Sequence, residues 1–169
     1  VLKLPSSRIT VPAHGEKTFF LQQQVGASLS FWSPKEPTLY GLMINMRHHG
    51  RMVDEKYTRF GWRQITFSEN RILLNNKPLI IKGDSWHFMG IPQMTRRYAY
   101  AWFSALRDAH LNAVRLHAQP YPEFYLDVAD EMGILVLDET AIWASDGGPK
   151  LDSDVFWKDT GRNGERLVQ

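Results

Sequence analysis

The chain contains no cysteine, so disulfides and thiolate metal sites are excluded and the redox compartment is left open. No apolar run approaches the roughly 18 residues that a membrane-spanning helix requires. The N-terminus lacks the charged-then-apolar pattern of a signal segment. Charge of either sign is also scarce in excess: the net charge is +2. No basic block or arginine-rich helix supplies a phosphate-backbone footprint, so neither nucleic acid nor membrane is expected as a partner. What the chain does have is aromatics: six Trp, six Tyr and nine Phe in 169 residues. Core packing and stacking against sugar rings would both use them, and composition does not separate the two. The balance of 43% hydrophobic and 22% charged residues is that of a globular protein. The length suits one ordinary domain or two small or incomplete ones.

Two regions follow different rules. From Val1 to about Thr66, short strand-like runs alternate with turn signals. Arg8 to Val11 leads into Pro12-Ala13-His14-Gly15, Lys17 to Gln22 alternates, and Thr38 to Arg47 ends at His48-His49-Gly50. Arg51 to Tyr57 then pairs back as the second arm of a hairpin. No helical spacing occurs, and the region reads as all-β, part of a sandwich. His48 and His49 could be metal ligands, but adjacent histidines at a Gly turn without a third ligand read better as loop residues.

From about Ile65 the pattern becomes strand, helix, strand, helix, strand. Ile65 to Phe67 and Arg71 to Leu74 are strands, Asn75 to Pro78 a turn, and Leu79 to Lys82 an apolar strand ending at Gly83. A helix over Arg96 to Leu111 gathers Ala99, Trp102, Phe103, Leu106, Ala109 and His110 on one face. Ala113 to His117 is the next strand. A second helix begins near Tyr121 with Pro122 in its first turn, buries Phe124, Val128, Ala129 and Met132, and stops at Gly133. Ile134 to Leu137 is an uninterrupted apolar strand. The alternation demands parallel pairing. Bulky residues in Gly83-Asp84-Ser85-Trp86-His87 stand where a nucleotide-binding sheet would need glycines, so a barrel is favoured over an open doubly wound sheet. A full barrel takes roughly 250 residues, and three of its eight units about 95. The expectation is therefore a β-sandwich domain over 1–66, whole or in part, followed over 67–169 by the first three units of an incomplete (β/α)8 barrel.

Chemistry in such a barrel sits where strands end. The three strands end in His87, in Arg115 with His117, and in Asp138-Glu139. Arg115 and His117 share one side of their strand, with Val114 and Leu116 facing the helices. Arg115 either makes a structural ion pair with Asp138 or Glu139, or orients a carboxylate of the site. His87 and His117 either bind sugar or plug the barrel top through hydrogen bonds, and Trp143 is either a sugar platform or a loop anchor. Asp138 and Glu139 cannot serve as an acid and nucleophile pair: adjacent strand residues point to opposite faces, whereas retaining enzymes hold two carboxylates about 5 Å apart around one bond.

Six motifs in register resemble family 2 of the glycoside hydrolases, which holds β-galactosidases, β-glucuronidases and β-mannosidases. Trp32-Ser33-Pro34-Lys35-Glu36-Pro37-Thr38-Leu39-Tyr40 is similar to the signature of the family's immunoglobulin-like domain, and Phe60-Gly61-Trp62-Arg63 to the junction into its barrel. Leu74-Asn75-Asn76-Lys77-Pro78, Lys82-Gly83 with His87, Asn112-Ala113-Val114-Arg115 and Asp138-Glu139 follow in the expected order. The resemblance implies site roles for His87 and for Arg115, beside the nucleophile. It also implies a retaining exo-glycosidase, β-galactosidase-like, acting on β-linked glycosides through two glutamates and needing no cofactor. Both glutamates belong to strands later than Gln169, so the chain is expected to be an inactive fragment carrying no catalytic residue.

There are departures. Ala118 replaces the family's histidine, with His117 one place earlier, and Ala141 replaces an asparagine. Trp143 and Ser145 stand where galactosidases bind magnesium, so no metal site is expected. The competing readings are a non-catalytic carbohydrate-binding or interaction module and an inactive homologue of the glycosidases. Three strands cannot close on themselves, so self-association through open sheet edges is expected, checkable by sedimentation. By family analogy a periplasmic or secreted location suits the parent protein.

Overall fold

A computed structural model describes residues 2–87, 90–140 and 154–168. The chain divides into two compact units, 1–30 and 31–169. In the first, a turn closed by the Gly15 N–H on the Pro12 carbonyl (3.1 Å) and a 3₁₀ turn at Gly26–Ser28 are the local order. The runs at Arg8 to Val11 and Lys17 to Gln22, read as strands, form none. Alternation prepares a segment for a sheet but cannot substitute for a ladder partner to take its N–H and C=O groups.

The second unit opens with an antiparallel hairpin, β1 (Tyr40–His48) and β2 (Arg51–Phe60). His49 and Gly50 connect them with φ of 47° and 79°, the two left-handed positions that a tight hairpin demands. His48 closes the ladder opposite Arg51 and His49 makes the turn, so the loop reading of this pair holds. Among the described residues this two-stranded hairpin is the only sheet of the first 60 positions, fewer strands than the expected sandwich would show.

A three-stranded antiparallel meander follows: β3 (Ile65–Ser68), β4 (Arg71–Leu74) and β5 (Lys77–Leu79). Asn75 and Asn76, both with positive φ, make the β4–β5 turn alone, so the turn is shorter than the expected Asn75 to Pro78. The apolar run Leu79 to Lys82 is not the first parallel strand either. Leu79 closes β5, and residues 80–82 are held by the Asn112 side chain, which accepts from the Lys82 N–H (2.8 Å) and donates to the Ile80 carbonyl (2.9 Å). The Lys82 carbonyl also accepts from the backbone N–H groups of Asn112 (2.8 Å) and Ala113 (3.1 Å), so the Asn112 clamp leads directly into the parallel ladder, whose pairing starts at Gly83.

The parallel sheet is β6 (Gly83–Trp86), β7 (Ala113–Leu116) and β8 (Leu135–Leu137), in that order, with α1 (Arg96–Asp108) and α2 (Glu123–Met132) as crossovers and α3 (Asp154–Val168) after β8. Three βα units thus succeed one another in the expected order; the described residues close no barrel. Thr95 caps α1 by accepting from the Tyr98 N–H (3.1 Å). Ala99, Phe103 and Leu106 of α1 pack with Tyr125, Val128, Ala129 and Met132 of α2 over Val114, Leu116 and Ile134. Tyr125, rather than Phe124, is the large buried ring of α2. Ala109 and His110, placed on the buried face of α1, instead lie beyond its end and are exposed, His110 with φ 58°.

The Trp-Ser-Pro and Phe-Gly-Trp-Arg motifs find their physical meaning in a seam along α2. Trp32 is fully buried, and its Nε1–H donates to the Asp130 carbonyl (2.8 Å). Gly61 lets the indole approach, since a Cβ there would sit 3.1 Å from it. The Arg63 guanidinium lies 4.3 Å from the Trp32 ring centroid and pairs with Asp130 at 2.7 Å. Arg59 bonds Glu131 and reaches Asp127 at 2.6 Å, and Arg96 from α1 shares Glu131 at 2.5 Å. Gly133 ends α2 in the left-handed conformation (φ 73°), with the Pro34 carbonyl where a side chain would begin.

Candidate functional site

Parallel pairing in register Ser85↔Arg115↔Leu137 puts these three residues on one side of the sheet. Val114 and Leu116 are buried on the other, under the helices, as the alternation requires. Extending each strand by two residues brings His87, His117 and Glu139 to the same side, at the C-terminal edge.

Arg115 is engaged by Glu139 through two bonds, Nε to Oε1 at 2.5 Å and Nη2 to Oε2 at 3.1 Å. This fork-to-fork geometry is the strong form of the pair. Of the two partners that sequence left open, Glu139 is therefore the one. Nη1 of Arg115 points to Ser85 Oγ at 3.5 Å, and 45% of the Arg115 side chain remains exposed. Glu139 Oε2 also accepts from the Ala118 N–H at 2.8 Å. Hydrogen bonding from Arg115 first, and from the Ala118 N–H second, holds the Glu139 carboxyl below its ordinary range. Asp138 behaves oppositely. Burial pushes its carboxyl up, the neighbouring Glu139 charge adds to the rise, and an N–H bond from Glu139 (3.1 Å) opposes it. The two adjacent carboxylates thus go to different environments.

The imidazoles of His87 and His117 stack face to face, centroids 4.1 Å apart and 28° between planes. The His117 N–H donates to the Trp86 carbonyl (2.9 Å), which also accepts from the Tyr121 hydroxyl (3.0 Å). Trp86 itself stacks on Trp102 at 4.1 Å, facing the helices. The turn after His117 places Ala118 at φ 56°, a left-handed conformation for a residue with a Cβ. Beyond it, Met94, Gln119, Pro120, Tyr121 and Pro122 line an open cavity of about 340 Å³. Trp143, Ala141 and Ser145 lie outside the described residues. Among the described residues no three His, Asp or Glu side chains are grouped to hold a metal.

The structure thus gathers His87, Arg115, His117 and Glu139, leaving Asp138 turned back on the chain. Sequence reasoning missed Ser85, although its position two before His87 on the same strand face was a legible signal. The left-handed Ala118 carried no such signal, because alanine is an unremarkable residue for a helix or a loop. Chemically the cluster offers a guanidinium edge, a hydroxyl and two imidazoles, a set of donors and acceptors suited to hydroxyl-rich ligands.

Residues 65–168 match the family model described as glycosyl hydrolases family 2, TIM barrel domain. Residues 5–63 match that of glycosyl hydrolases family 2. A β-galactosidase of Thermoanaerobacterium thermosulfurigenes is 29% identical over 120 residues, 68% of this chain and 16% of that protein. Among solved structures, a glycosyl hydrolase family 2 member from Bacteroides cellulosilyticus is 30% identical with a TM-score of 0.63, over 67% of this chain and 16% of its own. The Parabacteroides merdae β-glucuronidase with glycerol in its active site is 26% identical with a TM-score of 0.70, over 82% of this chain and 18% of its own. The chain spans less than a fifth of the length of these proteins.

Proposed function

The chain belongs to family 2 of the glycosyl hydrolases, and from that premise we propose that it contributes the opening units of the catalytic barrel of a retaining β-glycosidase. The observation that carries the reading is the clustering of Arg115, Ser85, His87 and His117 at the C-terminal edge of the parallel sheet, where barrels of this kind do their chemistry. In this reading Arg115, His87 and His117 face the sugar. The domain boundary falls near residue 66, with an immunoglobulin-like part before it. β-Galactosides and β-glucuronides are the first substrates to try, because relatives of both names are similar to this chain.

Among the described residues the carboxylates following the third parallel strand are Asp138 and Glu139, and as chain neighbours held in different hydrogen bonds they do not suit the paired acid and nucleophile roles. The 169-residue chain by itself is therefore proposed to lack turnover and to self-associate through the open edges of β6 and β8. The test is a panel of aryl β-glycosides offered to the 169-residue chain and to the full-length protein that contains it. The expected result is hydrolysis by the full-length protein, reduced about a hundredfold or more by Arg115→Ala, and none by the chain. Turnover by the chain alone would sink the assignment of the two glutamates to later strands. Sugar binding by the full-length protein with no turnover would favour a binding module.

A further inference from the structure

We infer that Glu139 is a positioning residue: its carboxylate pins the turn at Ala118 and thereby holds the His117 imidazole against His87. Three observations converge. Both carboxylate oxygens are committed, Oε1 to Arg115 Nε at 2.5 Å, and Oε2 to Arg115 Nη2 at 3.1 Å and to the Ala118 N–H at 2.8 Å. Ala118 sits at φ 56°, where a residue with a Cβ stays only when its surroundings over-determine it. The residue directly before it is His117, whose ring stacks on His87 at 4.1 Å.

The causal order follows from the backbone. Beyond β7 the chain must leave the sheet, and His117 is tied to β6 by one bond, its N–H on the Trp86 carbonyl at 2.9 Å. That bond fixes the start of the turn but not its continuation. The left-handed step at Ala118 decides where the chain goes next, and it is held by a bond to Glu139, two residues past the third strand. Glu139 therefore couples the ends of all three strands: β8 through itself, β7 through Arg115 and Ala118, and β6 through the His117–His87 stack. Without the Ala118 bond, an alanine would relax to negative φ and rotate the peptide that carries the His117 carbonyl. The imidazole of His117, directly after β7, would then lose its alignment with His87.

The inference deepens the glycosidase reading and rests on it only for the statement that the imidazoles face a sugar. Its test reads the turn itself, so its failure and the failure of the glycoside panel are distinguishable. Nuclear magnetic resonance of the 169-residue chain would follow the Ala118 amide and the two imidazole ring signals in Glu139→Ala, Glu139→Gln, Ala118→Gly and the double variant Glu139→Ala with Ala118→Gly. In Glu139→Ala the Ala118 amide should move upfield from its charge-assisted position, and the His87 and His117 signals should lose their mutual ring-current shift. Glu139→Gln, which keeps an acceptor and the volume, should retain the Ala118 bond while releasing Arg115 Nε–H. Glycine reaches φ near +60° without strain, so in the double variant the imidazole signals should return toward their native positions. The same glycine should also recover about fivefold of the folding equilibrium that Glu139→Ala loses. Should Glu139→Ala fail to fold, Glu139→Gln carries the comparison through the Arg115 and Ala118 signals. Native imidazole signals in Glu139→Ala, no recovery from glycine, or an unmoved Arg115 Nε–H in Glu139→Gln would each overturn the assignment.

Discussion

The seam along α2 and the cluster at the strand ends are built from the same pairing chemistry, arginine with carboxylate, and put it to opposite use. At the seam, Arg59 and Glu131 are about three-quarters buried and each is shared by more than one partner. A fully buried indole and a glycine pressed on a carbonyl lie beside them. At the strand ends, Arg115 is 45% exposed, its single carboxylate partner also grips a strained turn, and of the stacked imidazoles His87 is exposed and His117 half-buried. One arrangement spends its charges on fixing α2 against the preceding hairpin. The other keeps a guanidinium edge and the His87 imidazole at the surface. α2 connects the two, since it runs between β7, which carries Arg115 and leads to His117, and β8, which leads to Glu139.

Breaking the seam should therefore cost stability, and the largest loss should come from Trp32→Ala. It removes a fully buried ring and leaves the Asp130 carbonyl without its indole donor, for about 3–5 kcal/mol. Chemical denaturation of the chain would measure it. A loss below about 1 kcal/mol would mean that the seam is not part of the cooperative core. Gly133→Ala comes next at about 2–3 kcal/mol, because alanine must hold φ 73° and its Cβ would stand 2.4 Å from the Pro34 oxygen. If Gly133→Ala were neutral, the Pro34 contact could not be what seats the Trp-Ser-Pro motif on α2.

Much of this was legible in the sequence, and what was not has identifiable causes. The helices α1 and α2, the stop of α2 at Gly133, and the strands β4 and β7 follow from apolar spacing and turn residues, which are local signals. The first parallel strand was placed too early because Ile80 and Ile81 read as core. In the structure they are 74% and 40% exposed, and a side chain thirty residues away holds their backbone. The strand-like runs before residue 25 were misread for the complementary reason, that alternation reports a face and says nothing of a partner strand. At the candidate site, period two along β7 was enough to put Arg115 and His117 together. The choice of Glu139 over Asp138, and the left-handed Ala118, depend on how neighbouring strands align in space, and single-strand periodicity does not carry that information.

Lowering the pH sharpens the comparison with a smaller effect. At Glu131 desolvation pulls the carboxyl up, but hydrogen bonds from Arg59 and Arg96 outweigh it and leave the group below its ordinary 4.5. Glu139 is lowered too, by Arg115 first. A carboxyl whose pKa is depressed on folding contributes stability that is present above its unfolded value and lost as pH falls through the folded one. The chain should thus weaken progressively below about pH 4.5, and Glu131→Gln should flatten that limb while costing about 1–2 kcal/mol at neutral pH. Asp138, shifted upward, works against this trend and gains relative stability once protonated. An acid limb unchanged by Glu131→Gln would place the titrating groups elsewhere than the seam.

The smallest effect on folding should come from Arg115→Ala, and it separates the two regions most sharply. The guanidinium is nearly half exposed and its ion pair is a partly solvated one, so its loss should change stability by less than about 1 kcal/mol. Glu139 then keeps its bond to the Ala118 N–H but loses its principal hydrogen-bond donor, so its carboxyl should return toward the ordinary range. A carbon-13 titration of the Glu139 carboxyl would detect that return in a chain whose denaturation midpoint has scarcely moved. A large fall in stability would instead make Arg115 a structural brace like Arg59, and the strand-end cluster a second seam rather than a surface held ready for a ligand.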